Sequence, residues 1–204
     1  VITDCSALAK LPELPPNLLN LEINDCPKFI DLPCLPKKLL TLEVTGCREF
    51  NSFPSLPASL KRLTVENCDK LSHVRWADTL MYVDISGCPA LTSVPTFVYP
   101  HVPNFWPKPA PLTQNLKIDN CPRLTTIKAV EHLTSLQVKN CPQLSNLSVG
   151  NALLNLELSN CYELKTMPAL PSSLLSLKID SNSPITQLTV GQLTIYRTDP
   201  TVRG

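Results

Sequence analysis

Apolar residues return along this chain in one fixed phrase. Leu18, Leu21, Ile23 and Cys26 are followed by Leu39, Leu42, Val44 and Cys47, then by Leu60, Leu63, Val65 and Cys68. Leu80, Val83, Ile85 and Cys88 repeat it, and Leu153, Leu156, Leu158 and Cys161 do so again near the end. Inside each phrase apolar and polar residues alternate, which is the period of a strand with one buried face. In Asn20-Leu21-Glu22-Ile23-Asn24 the leucine and isoleucine point inward, and Asn20, Glu22 and Asn24 point outward. The pattern predicts one short strand per phrase, about ten in all, stacked as a single parallel sheet.

The cysteines set the register. Cys5, Cys26, Cys47, Cys68, Cys88, Cys121, Cys141 and Cys161 are spaced by 21, 21, 21, 20, 33, 20 and 20 residues, and Asn182 takes the next mark after 21. Only Cys34 lies off this ladder. The phrase is L-x-x-L-x-L-x-x-(N/C), the leucine-rich repeat signature, and one such turn cannot bury its leucines without its neighbours. The ladder cysteines read as small buried hydrophobes turned inward beneath the loop that leaves each strand. In other turns of such repeats an Asn there satisfies buried backbone groups, and Asn182 on the same mark supports the equivalence. A disulfide framework is the alternative, but equivalent side chains stacked in file point the same way, which is poor geometry for bridging. Zinc is not expected: no Cys-x-x-Cys pair exists, and His73, His101 and His132 share no ligand spacing with the cysteines. Largely unpaired thiols suit a reducing, cytoplasmic compartment.

A second phrase fills several turns. Leu11-Pro12-Glu13-Leu14-Pro15 returns as Leu32-Pro33-Cys34-Leu35-Pro36, Phe53-Pro54-Ser55-Leu56-Pro57 and Met167-Pro168-Ala169-Leu170-Pro171. Proline fixes φ and removes a donor, so these segments predict an extended, polyproline II convex side with very little helix. Turns over 71–80, 124–133 and 144–153 lack the phrase; Val74-Arg75-Trp76 or Leu147-Ser148-Val149 could supply a second short extended piece there. The 21 prolines would suggest disorder if unpatterned, but here many recur in phase with the leucines. Residues 1–204 are therefore expected to form one elongated domain with an insertion at about 97–111. The chain starts mid-repeat at Ile2-Thr3-Asp4-Cys5 without a polar capping unit, which suggests a piece of a longer protein.

The phrase L-P-x-L-P-x-x-L-x-x-L-x-V, as in Leu32 to Val44, resembles the short leucine-rich repeats of bacterial effectors, the YopM group and the recognition domains of IpaH-type ubiquitin ligases. In that family the ladder residue is usually Asn and the turn slightly shorter. The ladder form Asn-Cys-Pro-x-Leu, in Asn120 to Leu124 and Asn140 to Leu144, is similar to the carboxy-terminal repeats of plant intracellular immune receptors. The resemblance implies a leucine-rich repeat solenoid that recognises a protein target. In an IpaH-type ligase the catalytic cysteine domain would lie outside these residues.

No catalytic constellation is visible. The serines lack a glycine elbow, five glycines offer no phosphate-binding loop, and no His-Glu-x-x-His motif occurs. No catalytic, cofactor or metal residue is therefore assigned, and no enzyme activity is expected. The formal charge of +1, without a Lys/Arg cluster, argues against nucleic acid as a partner. No apolar run approaches the roughly 18 residues that span a membrane.

Binding is expected on the outward strand positions. Their middle column reads Glu22, Glu43, Thr64, Asp84, Lys117, Gln137, Glu157, Lys178 and Thr194. The flanking columns add Glu66, Arg62 and Tyr82, and end at Tyr196 and Gln192. Up to Cys88 this face is mildly acidic (Glu22, Glu43, Glu66 and Asp84 against Arg62), which suits a basic segment of a protein partner. Solvated strand faces need polar side chains in any case, and a solenoid that only spaces neighbouring domains is a further alternative. The 33-residue interval holds Phe97, Tyr99, Phe105 and Trp106, four of the chain's eleven aromatic residues. Insertions in repeats map to loops that often face a partner, so Tyr99, Phe105 and Trp106 could form a binding edge beside Tyr82. The same aromatics could instead fold back and cover core.

Overall fold

The architecture follows from the strand period. The computed structural model describes residues 1–74, 79–94, 114–128, 133–167, 170–180 and 183–185, together with the backbone of two last strands, 187–190 and 193–196. Its strands are β1 (Ile2–Thr3), β2 (Asn20–Asn24), β3 (Thr41–Thr45), β4 (Arg62–Glu66), β5 (Tyr82–Ser86), β6 (Ser93–Val94) and β7 (Asn115–Asp119). They continue as β8 (Thr126–Ile127), β9 (Ser135–Lys139), β10 (Asn146–Leu147), β11 (Asn155–Ser159), β12 (Ser176–Ile179), β13 (Gln187–Val190) and β14 (Leu193–Tyr196). Nine of them form one parallel sheet in the order β1-β2-β3-β4-β5-β7-β9-β11-β12, so the main strand of each turn lies beside that of the turn before. The described residues contain no helix.

The register is strict. Leu21 pairs with Leu42, Leu42 with Leu63, Leu63 with Val83 and Val83 with Leu116, so each inward position stacks on its own kind. The inward members of β2 to β11 are buried, whereas their neighbours along the strand are open. Phe29 and Phe50, three residues after their cysteines, continue the core with rings stacked at 5.9 Å, and Phe53 meets Phe50 edge-on at 4.8 Å. The Cys-Pro-x-Phe/Leu phrase is a β-turn. Phe29 N–H donates to the Cys26 carbonyl at 2.9 Å, and Leu124 N–H to that of Cys121 at 3.1 Å. Pro27 and Pro122 occupy the second turn position, where a fixed φ favours proline.

Two features depart from the expected single sheet of about ten strands. First, β6, β8 and β10 form a separate three-stranded parallel sheet, the second extended piece of turns that lack the Leu-Pro phrase; Leu147 belongs to it. Val74 is buried without joining a strand, and Arg75 and Trp76 lie outside the described residues. Second, no tenth strand extends the main sheet among the described residues. β13 and β14 instead pair antiparallel with each other, Gln187 opposite Tyr196 and Val190 opposite Leu193. Thr194 and Tyr196 therefore leave the columns assigned to them. Two residues separate these strands in sequence, and the first is Gly191, a hairpin signal that the long repeat period masks.

Candidate functional site

The outward columns of β2 to β12 make one continuous polar face. Cα pairing places Glu22 beside Glu43, Glu43 beside Thr64, Thr64 beside Asp84 and Asp84 beside Lys117. The column then runs Gln137, Glu157, Lys178. Across β4 to β12 the face forms a groove of about 400 Å³, lined among others by Arg62, Tyr82, Asp84, Lys117, Gln137 and Glu157.

Charge is distributed unevenly along it. Lys117 Nζ donates to Asp84 Oδ2 at 2.8 Å. That hydrogen bond with Asp84 raises the Lys117 pKa against the opposing effect of burial. Lys139 Nζ lies 2.8 Å from Glu157 Oε1, and Gln137 Nε2 donates to Glu157 Oε2 at 2.6 Å. Lys139 first and Gln137 second hold the Glu157 carboxyl below its ordinary pKa. Asp84, one of the four acids expected to make this face acidic, is thus neutralised by a residue 33 positions later. Glu22, Glu43 and Glu66 form no ion pair with a described residue. Tyr82 is 39% exposed, with the Arg62 guanidinium carbon 4.9 Å from its ring centroid. The structure therefore brings Tyr82 and Asp84 together in the groove and sets Glu22, Glu43 and Glu66 on the strands leading into it. Tyr99, Phe105, Trp106 and the rest of the insertion lie outside the described residues, as does Asn182.

Behind this face stands the cysteine file. Cys26, Cys47, Cys68, Cys88, Cys121, Cys141 and Cys161 are buried, Cys5 on the edge turn is half-buried, and Cys34 is exposed; all nine are free thiols. Each ladder thiol donates to the carbonyl two residues before it, as Cys47 Sγ does to Thr45 at 3.4 Å. Cys47 and Cys68 also reach the preceding turn, to the carbonyls of Ile23 and Val44 at 3.7 Å. Burial pushes the thiols of Cys47 and Cys88 up to about 11 and that of Cys161 to about 12, and raises Cys68 further. In Cys141 the neighbouring Cys121 is the larger cause and burial the second. Buried thiols with raised pKa values are the opposite of the activated thiolate that nucleophilic chemistry uses.

A second ladder lies one residue before the cysteines. The residue before each cysteine has a left-handed backbone: Asp4, Asp25, Gly46, Asn67, Gly87, Asn120, Asn140 and Asn160 all have φ between 50° and 64°. Only Gly, Asn and Asp occur there, the residues that tolerate this region. Their side chains run along the rim: Asn140 Nδ2 donates to Asp119 Oδ1 at 2.8 Å, and Asn160 Nδ2 to Asn140 Oδ1 at 2.7 Å. The recurring Asp/Asn/Gly before Cys was the available signal.

No protein-family model and no curated protein matches the sequence. The fold does match solved structures. YopM from Yersinia enterocolitica WA-314 superposes with a TM-score of 0.51 at 20% identity, over 90% of this chain and 39% of that one. A leucine-rich repeat protein from Bacteroides ovatus ATCC 8483 gives a TM-score of 0.59 at 17% identity, over 92% of this chain and 58% of that one. The chain thus spans less than two thirds of either structure's length. At such identities the likeness is one of fold, and the fold is the leucine-rich repeat solenoid: one parallel strand per turn, leucines inward, a polar sheet face outward.

Proposed function

We propose that this chain is a protein-recognition module, as in a bacterial effector or an immune receptor, whose outward sheet face receives a basic segment of its partner. One observation carries the reading. From β5 to β11 the ion pairs Lys117–Asp84 and Lys139–Glu157 offset charge on the face, while Glu22, Glu43 and Glu66 on β2, β3 and β4 form no ion pair with a described residue. Glu22 and Glu43 are moreover in-register neighbours. Like charges directly opposite each other destabilise a sheet, so a partner's cations there would relieve a repulsion as well as add contacts. The free, buried thiols fit work in a reducing compartment, which we take to be the cytosol. No helix among the described residues is long and apolar enough to cross a membrane.

Site-specific photo-crosslinking tests the proposal. A photoreactive residue at Thr64, on the sheet face, should trap discrete protein partners, and Glu22→Gln with Glu43→Gln and Glu66→Gln should abolish them. The same group at Ser55, in a Leu-Pro segment, should trap none of these species. Identical products from both positions would refute the assignment of the face.

A further inference from the structure

We propose that the groove across β4 to β12 takes a proline-rich segment of the partner in the polyproline II conformation, with the segment's basic end over β2 to β4. This rests on the protein-recognition reading above and adds the conformation, composition and orientation of what is recognised.

The first argument is spacing. Beside the charged middle column runs a file in which Tyr82 pairs with Asn115, Asn115 with Ser135, Ser135 with Asn155 and Asn155 with Ser176. All five line the groove, and the last four make no side-chain hydrogen bond with a described residue. Neighbouring strands lie about 4.8 Å apart, so the amides of Asn115 and Asn155, two strands apart, recur at about 9.6 Å. A polyproline II segment turns once every three residues with a rise of about 3.1 Å, a repeat of about 9.3 Å. It has no internal hydrogen bonds, so one carbonyl per turn is free to accept from each asparagine. An extended β-strand presents same-side groups every ~6.7 Å and falls out of phase with this file. A helix uses its carbonyls internally.

The second argument is the character of the groove. Proline-rich segments dock on aromatic-lined grooves, and the file starts at Tyr82, an exposed ring with the Arg62 guanidinium set over it. Charge sets the orientation. The ion pairs Lys117–Asp84 and Lys139–Glu157 leave the floor with little net charge, which suits uncharged prolines. At one end stand Glu22, Glu43 and Glu66 against Arg62 alone; at the other, Lys178 on β12 has no ion-pair partner among the described residues. A segment that is basic at one end and uncharged along its length complements that gradient.

Fluorescence anisotropy on the whole chain tests this with labelled synthetic peptides of about nine residues. Two carry proline at most positions with lysines at one or the other end, and two replace the prolines by Gly and Ser at the same charge. At least one proline peptide should bind about tenfold or more tighter than its Gly/Ser counterpart. Asn115→Ala with Asn155→Ala should remove that advantage, since two hydrogen bonds are lost. Glu22→Gln with Glu43→Gln should instead weaken proline and Gly/Ser peptides alike. Equal binding of both peptide kinds to the unmodified chain would overturn the polyproline II inference and leave the basic-segment reading standing. No binding of either proline peptide at millimolar concentration would overturn it too, with the photo-crosslinking result then deciding the broader reading separately. Saturable binding of a β-linked oligosaccharide that needs Asn115 and Asn155 would replace the peptide by a carbohydrate.

Discussion

Gly87 offers the sharpest test of the turn geometry. Its φ is 59°, and a Cβ built there would collide with the Asn67 side-chain oxygen while lying 3.2 Å from the Asn67 main-chain nitrogen. That nitrogen is held in place by its bond to the Ser86 carbonyl at 3.0 Å. Gly87→Ala therefore carries two costs. A left-handed backbone costs a residue with a Cβ roughly 1–2 kcal/mol, and overpacking adds about 1–3 kcal/mol. With a melting shift of about 2–4 °C per kcal/mol for a chain of this size, Tm should fall by about 4–20 °C. The two costs separate in a double-mutant cycle. Asn67→Gly removes the colliding side chain and keeps a residue suited to its own φ of 52°. In that background Gly87→Ala should cost only the backbone share, so the coupling should equal the overpacking share, about 1–3 kcal/mol. Urea denaturation followed by circular dichroism measures all four species. A Gly87→Ala penalty below about 0.5 kcal/mol, the scale of an ordinary surface change, would refute the left-handed ladder. An equal penalty in both backgrounds would refute the contact with Asn67.

Three further outcomes are expected. Cys68→Phe should destabilise by about 1–3 kcal/mol because it overpacks a filled core, while Glu43→Gln should stay within about 0.5 kcal/mol; equal melting temperatures would mean that inward and outward are misassigned. Thiol titration of the native protein should label Cys34 quickly and the seven buried ladder thiols only after denaturation, when all nine react without reductant; rapid labelling of the ladder would contradict its burial. Stability should also fall as the solution turns alkaline: the folded pKa values of Cys47 and Cys88, near 11, exceed their unfolded value of 9.0, so the folded state holds its protons longer. That contribution is complete below pH 9 and is lost as pH rises toward 11, and Cys88→Ala should flatten the decline measured by urea midpoints.

Which parts of this structure could be read from the sequence depends on the range of the signal. The strands at Asn20–Asn24, Thr41–Thr45 and Arg62–Glu66 fall on the alternating phrases because burial of one strand face is a period-two constraint that any five residues display. Register followed as well, since a slip of one residue would turn Leu42 and Val44 outward. The ion pair of Lys117 with Asp84 was hidden because the partners are 33 residues apart and meet only once the insertion is spanned, so a count of acids overstated the negative charge of the face. The terminal hairpin was hidden for the opposite reason: its signal spans a few residues around Gly191, and the longer repeat overrode it. The left-handed ladder leaves a trace in the sequence as Asp, Asn or Gly before each ladder cysteine, but those residues serve many kinds of turn, so their presence alone does not specify the backbone conformation. The aromatic insertion remains a sequence-based expectation, since Tyr99, Phe105 and Trp106 fall outside the described residues.

The proposed recognition of a basic protein segment by the outward sheet face runs through Glu22, Glu43 and Glu66. Selection of a random peptide library on the immobilised chain tests it most directly, with each enriched peptide then measured against the Glu22→Gln, Glu43→Gln, Glu66→Gln variant. Enriched peptides should carry lysine or arginine at one end, and their binding should weaken with added salt and be lost in the variant. Enriched peptides without basic residues that bind the variant as tightly as the unmodified chain would contradict it.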